Sequence, residues 1–226
     1  MSEPESFEGA NMGATGAPTR VTDRDLAAAH TALEPWFRSV LEAPDLQLGE
    51  VTKPASSGVA NETLLCDATF SKDGAVTTVG YVIRVNSPDF LYKDVIFSNH
   101  VAMCRALEAN GRVPVAHVIG EEPDTSVLGQ HFFVMERIEG QVPEDQPPYH
   151  TGGWVAELEP GQRRTLWANA VAAMVELHKV PVADVSFLNR PELGASGLEQ
   201  YLALCVDYEA WAQGPESSPV IGAARR

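Results

Sequence analysis

Between residues 46 and 136 the hydrophobic period runs from two to a helical repeat and back to two, and this order constrains the fold more than anything else in the chain. Leu46–Lys53, Glu62–Phe70 and Val76–Val85 read as three strands, the last two joined by a tight Ser71-Lys-Asp-Gly74 turn. Val95, Val101, Cys104 and Leu107 mark the inner face of a helix over Lys93–Ala109, closed by Asn110-Gly111. Val113-Pro-Val-Ala-His-Val-Ile-Gly120 and Leu128-Gly-Gln-His-Phe-Phe-Val-Met135 then read as two strands around a polar turn, Glu121 to Ser126. The second strand runs straight into a connector, Glu136-Arg-Ile-Glu-Gly140. The order β-β-β-α-β-β describes an antiparallel sheet with one helix laid on it.

The flanks have a different character. Residues 1–21 are poor in large apolar side chains and rich in Gly, Ala, Ser, Glu and Pro, the composition of a disordered tail. Thr22 and Asp23 offer an N-cap ahead of Leu26, Ala29, Leu33, Phe37, Val40 and Leu41, whose spacing stays near-helical through Pro35. Beyond Gly140 a Pro-rich loop leads to a helix from about Gly161 to Lys179, with Leu166, Ala170, Ala173, Met174 and Leu177 at helical spacing. A further helix covers Leu198–Trp211, and Gly214–Arg226 has no period. This divides the chain into a tail (1–21), a sheet-bearing unit (22–140) and a helical unit (141–226).

Charge excludes some functions. With 16 Lys and Arg against 31 Asp and Glu, the 226-residue chain carries a formal net charge of −15, which argues against nucleic acid and anionic membranes as partners. A nucleotide is still possible, because one local cation and a few backbone N–H groups suffice for a triphosphate. No apolar run approaches the roughly 20 residues that span a bilayer. The N-terminus lacks the basic-then-apolar order of a secretory signal. Cys66, Cys104 and Cys205 stand far apart with no metal-ligand spacing, as buried thiols in a reducing cytoplasm would.

Two features bear on chemistry. Pro54-Ala-Ser-Ser-Gly-Val-Ala-Asn61 joins two expected strands with small residues that would let backbone N–H groups close on phosphates; taken alone it is equally an ordinary hairpin loop. Arg84, near the end of the third strand, could reach such phosphates through its planar fork, or be a surface arginine at a strand end.

The motifs Ser57-Gly-Val-Ala-Asn-Glu-Thr-Leu-Leu65, Tyr81-Val-Ile-Arg84, Val113-Pro-Val115, Leu128-Gly through Phe132-Phe-Val-Met-Glu136, Glu139-Gly140 and Val175-Glu-Leu-His178 together resemble the aminoglycoside-phosphotransferase-like kinases. The branch associated with acyl-CoA dehydrogenase domains is the most similar. The resemblance spans about residues 30–212. It implies an α+β, protein-kinase-like fold: a complete small lobe with an antiparallel sheet, then the first helices of an incomplete large lobe. It also implies transfer of a phosphoryl group from ATP, with Mg²⁺, to a hydroxyl of an unidentified small molecule in the cytoplasm. Gly58, Asn61 and Arg84 would bind phosphates. The connector would act as a hinge, with the backbone of Glu136 and Ile138 pairing with adenine and Met135 beside the base. His178 would be structural.

Two departures from that family stand out. The mid-helix position that usually supplies a Glu partner for the strand cation holds Asn99 and His100, with His100 a candidate substitute. The family's His-Gly-Asp-x-x-x-x-Asn loop and later metal-binding Asp are absent from these residues. Asp184-Val-Ser-Phe-Leu-Asn189 followed by Asp207-Tyr-Glu has similar spacing. However, Val-Ala precedes Asp184, Arg190-Pro191 follows Asn189, and Asp207 falls in a helix-like run. The expectation is therefore that no catalytic or metal-binding residue is present and that the chain stops short of its catalytic loop. The apolar stripe of helix 161–179 would then be left uncovered. The alternative function is a catalytically inactive module that binds a nucleotide or a partner without turnover.

Overall fold

The computed structural model describes residues 24–54, 61–86, 97–143 and 148–213. The expected tail, the cap residues Thr22 and Asp23, Gly58 and Val95 lie outside them.

Helix α1 (Leu26–Val40) begins at Asp25, whose carboxylate accepts from the Ala27 and Ala28 N–H groups at 3.0 Å each. The N-cap thus lies two residues beyond the expected Asp23. Arg24 is drawn away from the helix, with Nε on Glu62 at 2.7 Å and Nη1 donating to the Leu128 carbonyl at 2.6 Å. The helix continues through Pro35 and buries Ala29, Leu33, Trp36 and Phe37 along one face.

That face lies on a five-stranded, wholly antiparallel sheet: β1 (Gln47–Leu48), β2 (Glu62–Lys72), β3 (Ala75–Val85), β5 (Phe132–Glu136) and β4 (Val118–Glu122), in that spatial order. The β2–β3 hairpin closes at Asp73 (φ 53°) and Gly74 (φ 81°), two successive left-handed residues that suit the right-handed twist of the strands. Strand β1 is shorter than the periodicity suggests. Gly49 N–H donates to the Asp67 carbonyl at 2.7 Å, an approach a side chain would crowd, and the chain meets β2 again only at the Thr52–Leu65 bridge. Strand β4 is shorter too, because Pro114 has no N–H for a ladder and pairing starts only at Val118.

Alternation along the strands gives the sheet two different faces. Leu64, Cys66, Ala68, Tyr81, Ile83, Val85, Phe132 and Val134 meet α1 in the main core. Trp36 packs against Phe132 and Phe37 against Tyr81, with ring centroids 5.1 and 5.2 Å apart. A fully buried residue such as Leu33, Phe37 or Phe132 contributes roughly 1.5–3 kcal/mol by leaving water. On the other face Phe133 and Val118 hold helix α2 (Phe97–Asn110) through Phe97 and Val101. Gly111 (φ 69°) ends that helix, its N–H donating to the Leu107 carbonyl at 3.0 Å.

Helices α3 (Gly153–Glu157), α4 (Pro160–His178) and α5 (Gly197–Gln213) follow, with a 3₁₀ segment, Val182–Leu188, between the last two. Helix α4 buries none of its residues; Trp167 and Met174 are 54% and 52% exposed. Helix α5 exposes Tyr201, Leu202 and Val206 in the same way. No helix among the described residues is long and apolar enough to cross a membrane.

Candidate functional site

Among the described residues, α2 packs on the face of the sheet opposite α1, at the β4–β5 side. Three rungs run across its middle, fixed by strand register. Thr63 stands opposite Arg84, which faces Phe133; Leu65 stands opposite Val82, which faces Met135; Asp67 stands opposite Gly80. Arg137, just past β5, continues the third rung through its N–H to the Gly80 carbonyl at 2.7 Å. Successive rungs are two residues apart, about 6.6 Å along a strand. The middle rung is an apolar shelf, since Leu65, Val82 and Met135 are all only partly buried. A cation stands at one end of the shelf and an ion pair at the other.

Arg84 Nη1 donates to the Thr63 hydroxyl at 2.9 Å, and burial pulls its pKa below the usual arginine value. Among the described residues no carboxylate pairs with it. Helix α2 presents His100 instead, whose pKa lies below the ordinary 6.5, first through burial and then through the Arg84 charge. Arg84 therefore faces a histidine that is neutral at pH 7, and its positive charge is not cancelled from that side.

Asn61, at the end of the loop before β2, is buried, and its Oδ1 has no hydrogen-bond partner among the described residues. Next to it the buried Glu62 carboxylate lies 2.7 Å from Arg24 Nε and 3.2 Å from Lys53 Nζ. This pairing holds Lys53 and Glu62 together on either side of residues 54–61. Gly58 lies outside the described residues.

At the other end of the shelf the connector leaves β5. Glu136 N–H donates to the His117 carbonyl at 2.9 Å, so it is engaged in the sheet; among the described residues the Ile138 backbone has no backbone partner. The Ile138 side chain is exposed. Arg137 Nη1 meets Asp67 Oδ1 at 3.0 Å, and Arg137 Nε donates to Glu139 Oε1 at 2.8 Å. A cleft of about 400 Å³ lined by Arg24, Asp25, Leu128 and Gln130 lies on the α1 side, away from these rungs.

Residues 52–225 match the phosphotransferase enzyme family. The chain belongs to that family. A solved structure from Ralstonia eutropha JMP134, titled a "putative aminoglycoside phosphotransferase", superposes with a TM-score of 0.52 at 20% identity, over 85% of this chain and 50% of that one. The two share a fold, and this chain spans half the length of that protein. The α+β, kinase-like architecture read from the sequence is the one found.

Within this phosphotransferase fold, the Asp184, Asn189 and Asp207 spacing does not converge on a metal. The Asp184 carboxylate accepts from Asn110 Nδ2 at 3.1 Å, Asn189 Oδ1 accepts from Gln200 Nε2 at 2.9 Å, and Asp207 lies within α5. No group of three His, Cys, Asp or Glu among the described residues could hold a metal ion. His178 is the last residue of α4. His117 and His131 bond to Glu108 and Glu121 at 2.6 and 3.0 Å.

The sequence indicated Arg84, Asn61 and the connector as separate points. It did not reveal the shelf of Leu65 and Val82 or the Asp67–Arg137 pair, because those depend on strand register. Alternation along β2 and β3 was the available signal. It assigns Leu65 and Val82 to the faces opposite Leu64 and Ile83, but not to each other.

Proposed function

We propose that this chain carries the nucleotide-binding part of an ATP-dependent phosphotransferase acting on a hydroxyl of a small molecule. The observation that carries the reading is the rung order: an apolar shelf with an exposed connector at one end and, at the other, an arginine with no carboxylate partner among the described residues. A flat, apolar base would lie on the row formed by Leu65, Val82 and Met135. The Glu136 carbonyl and Ile138 N–H would pair with its edge. The triphosphate would extend to Arg84, with Asn61, whose side-chain N–H₂ would be the donor to phosphate oxygens, and the backbone around Gly58 nearby. Arg84 would bind phosphate oxygens and offset their charge, its role being positioning and charge stabilisation.

Magnesium does not fit the described residues, which offer no converging set of oxygen donors. It would arrive as MgATP. We place the sheet-bearing residues 22–140 as a small lobe and 141–226 as the first part of a large lobe, in a cytoplasmic protein of the branch associated with acyl-CoA dehydrogenase domains. The acceptor would be a small molecule, with no nucleic acid or membrane partner.

A second reading is favoured by the fold contacts of Asp184 and Asn189. With those groups engaged and no His-Gly-Asp in the sequence, these 226 residues would bind nucleotide without turning it over. One experiment separates the two: thermal unfolding with and without MgATP, beside phosphate release. Stabilisation with turnover supports the enzyme reading, and stabilisation alone supports the binding module. No response to any nucleotide sinks both.

A further inference from the structure

Arg137 crosses the sheet at the end of the shelf. Its guanidinium lies over Gly80 of β3, pairs with Asp67 of β2 at 3.0 Å, and binds Glu139 of the connector at 2.8 Å. A Cβ on Gly80 would fall 2.5 Å from Arg137 Cζ and 2.6 Å from Nη2, so only glycine leaves room for the guanidinium. Beyond Glu136 the connector is weakly held: among the described residues, its backbone tie to the sheet there is Arg137 N–H to the Gly80 carbonyl. Residues 138–140 pair with no strand, and Ile138 and Glu139 are exposed.

We propose that Arg137 is a positioning residue, a staple over Gly80 that fixes the connector so the Ile138 N–H stays at the edge of the shelf. The proposal rests on the nucleotide reading above. Exposed ion pairs add little to global stability, because water and salt screen them. The effect of this staple is therefore local: it reduces the conformations a bound base would otherwise have to select. Sequence reasoning could not find it, since Asp67 and Arg137 are brought together only through β3.

The test uses the full chain with two ligands, ATP and inorganic tripolyphosphate. Tripolyphosphate can reach Arg84 but has no base for the connector. Gly80→Ala displaces the guanidinium while keeping every charge, and Arg137→Met removes it. Both should weaken ATP binding about fivefold to tenfold, leave tripolyphosphate binding unchanged, and speed amide exchange at residues 137–140 in the ligand-free protein. Glu139→Gln keeps the Asp67 contact and should change ATP binding less than Arg137→Met does. Unchanged ATP affinity in both variants, or parallel weakening of both ligands, would overturn the proposal. A wild-type chain that binds neither ligand would instead remove the nucleotide reading, and the staple's role with it.

Discussion

Asn110, the last residue of α2, donates its side-chain amide to the Asp184 carboxylate at 3.1 Å, tying the helix on the sheet to the 3₁₀ segment beyond α4. A carboxylate held this way is a structural contact between the two parts of the chain. Asp184→Ala should lower stability by about 0.5–1 kcal/mol, the worth of one exposed hydrogen bond, and leave nucleotide binding alone. Urea unfolding beside a MgATP titration measures both. Loss of phosphate release with intact folding would make Asp184 catalytic after all.

Arg84 makes the opposite prediction. Charge-assisted hydrogen bonds to phosphate contribute about 1.5–3 kcal/mol, so Arg84→Met should weaken both ATP and tripolyphosphate roughly 10- to 100-fold. Arg84→Lys keeps the charge but loses the fork, and should fall between them. Equal tripolyphosphate affinity in wild type and Arg84→Met, by calorimetry, would remove phosphate binding from Arg84.

The hairpin and the order of elements were legible in the sequence because local chemistry decides them. Asp73-Gly74 can adopt two successive left-handed conformations, and the alternation on either side fixes the register. Pro35 did not mislead, since helical spacing continued on both sides of it. The end of β1 was not legible, because the break at Gly49 is set by a carbonyl on Asp67, a residue of another strand. The cap of α1 moved for a similar reason: Arg24 is held by Glu62 and Leu128, which are distant in sequence. At the site, single residues could be nominated, but their order along the shelf is a property of paired strands.

The cysteines should separate by reactivity. Cys66 faces the α1 core, where burial above all, and then the neighbouring Asp67 charge, push its thiol up to about 12. It has almost no thiolate at pH 8. Cys104 is half-buried, with its thiol also raised by burial, while Cys205 is exposed. A thiol reagent should modify Cys205 first, Cys104 more slowly, and Cys66 only on unfolding. Mass spectrometry of the labelled peptides gives the order, and fast native labelling of Cys66 would contradict the packing of β2 against α1.

His100 gives the acid side of the stability profile a definite sign. Its folded-state pKa lies below the ordinary 6.5, so the unfolded chain takes up this proton first as pH falls. Stability should therefore decline from about pH 6.5 down to the lower folded value, where the decline levels off. His100→Gln should flatten that part of the profile relative to wild type. Denaturant unfolding at several pH values tests it, and identical slopes for the two proteins would mean that burial and Arg84 do not act on this ring.

The uncovered sides of α4 and α5 bear on how the molecule opens. Residues packed between α1 and the sheet can exchange their amides only when the whole core separates, whereas α4 buries nothing and can unwind without disturbing it. The protein should behave as two cooperative units with different opening free energies. In dilute protease the first cut should fall in 160–213 and leave the sheet with α1 and α2 intact. Any molecule that later covers those helices would be detected first as a rise in the protection of their amides, before any change in the sheet.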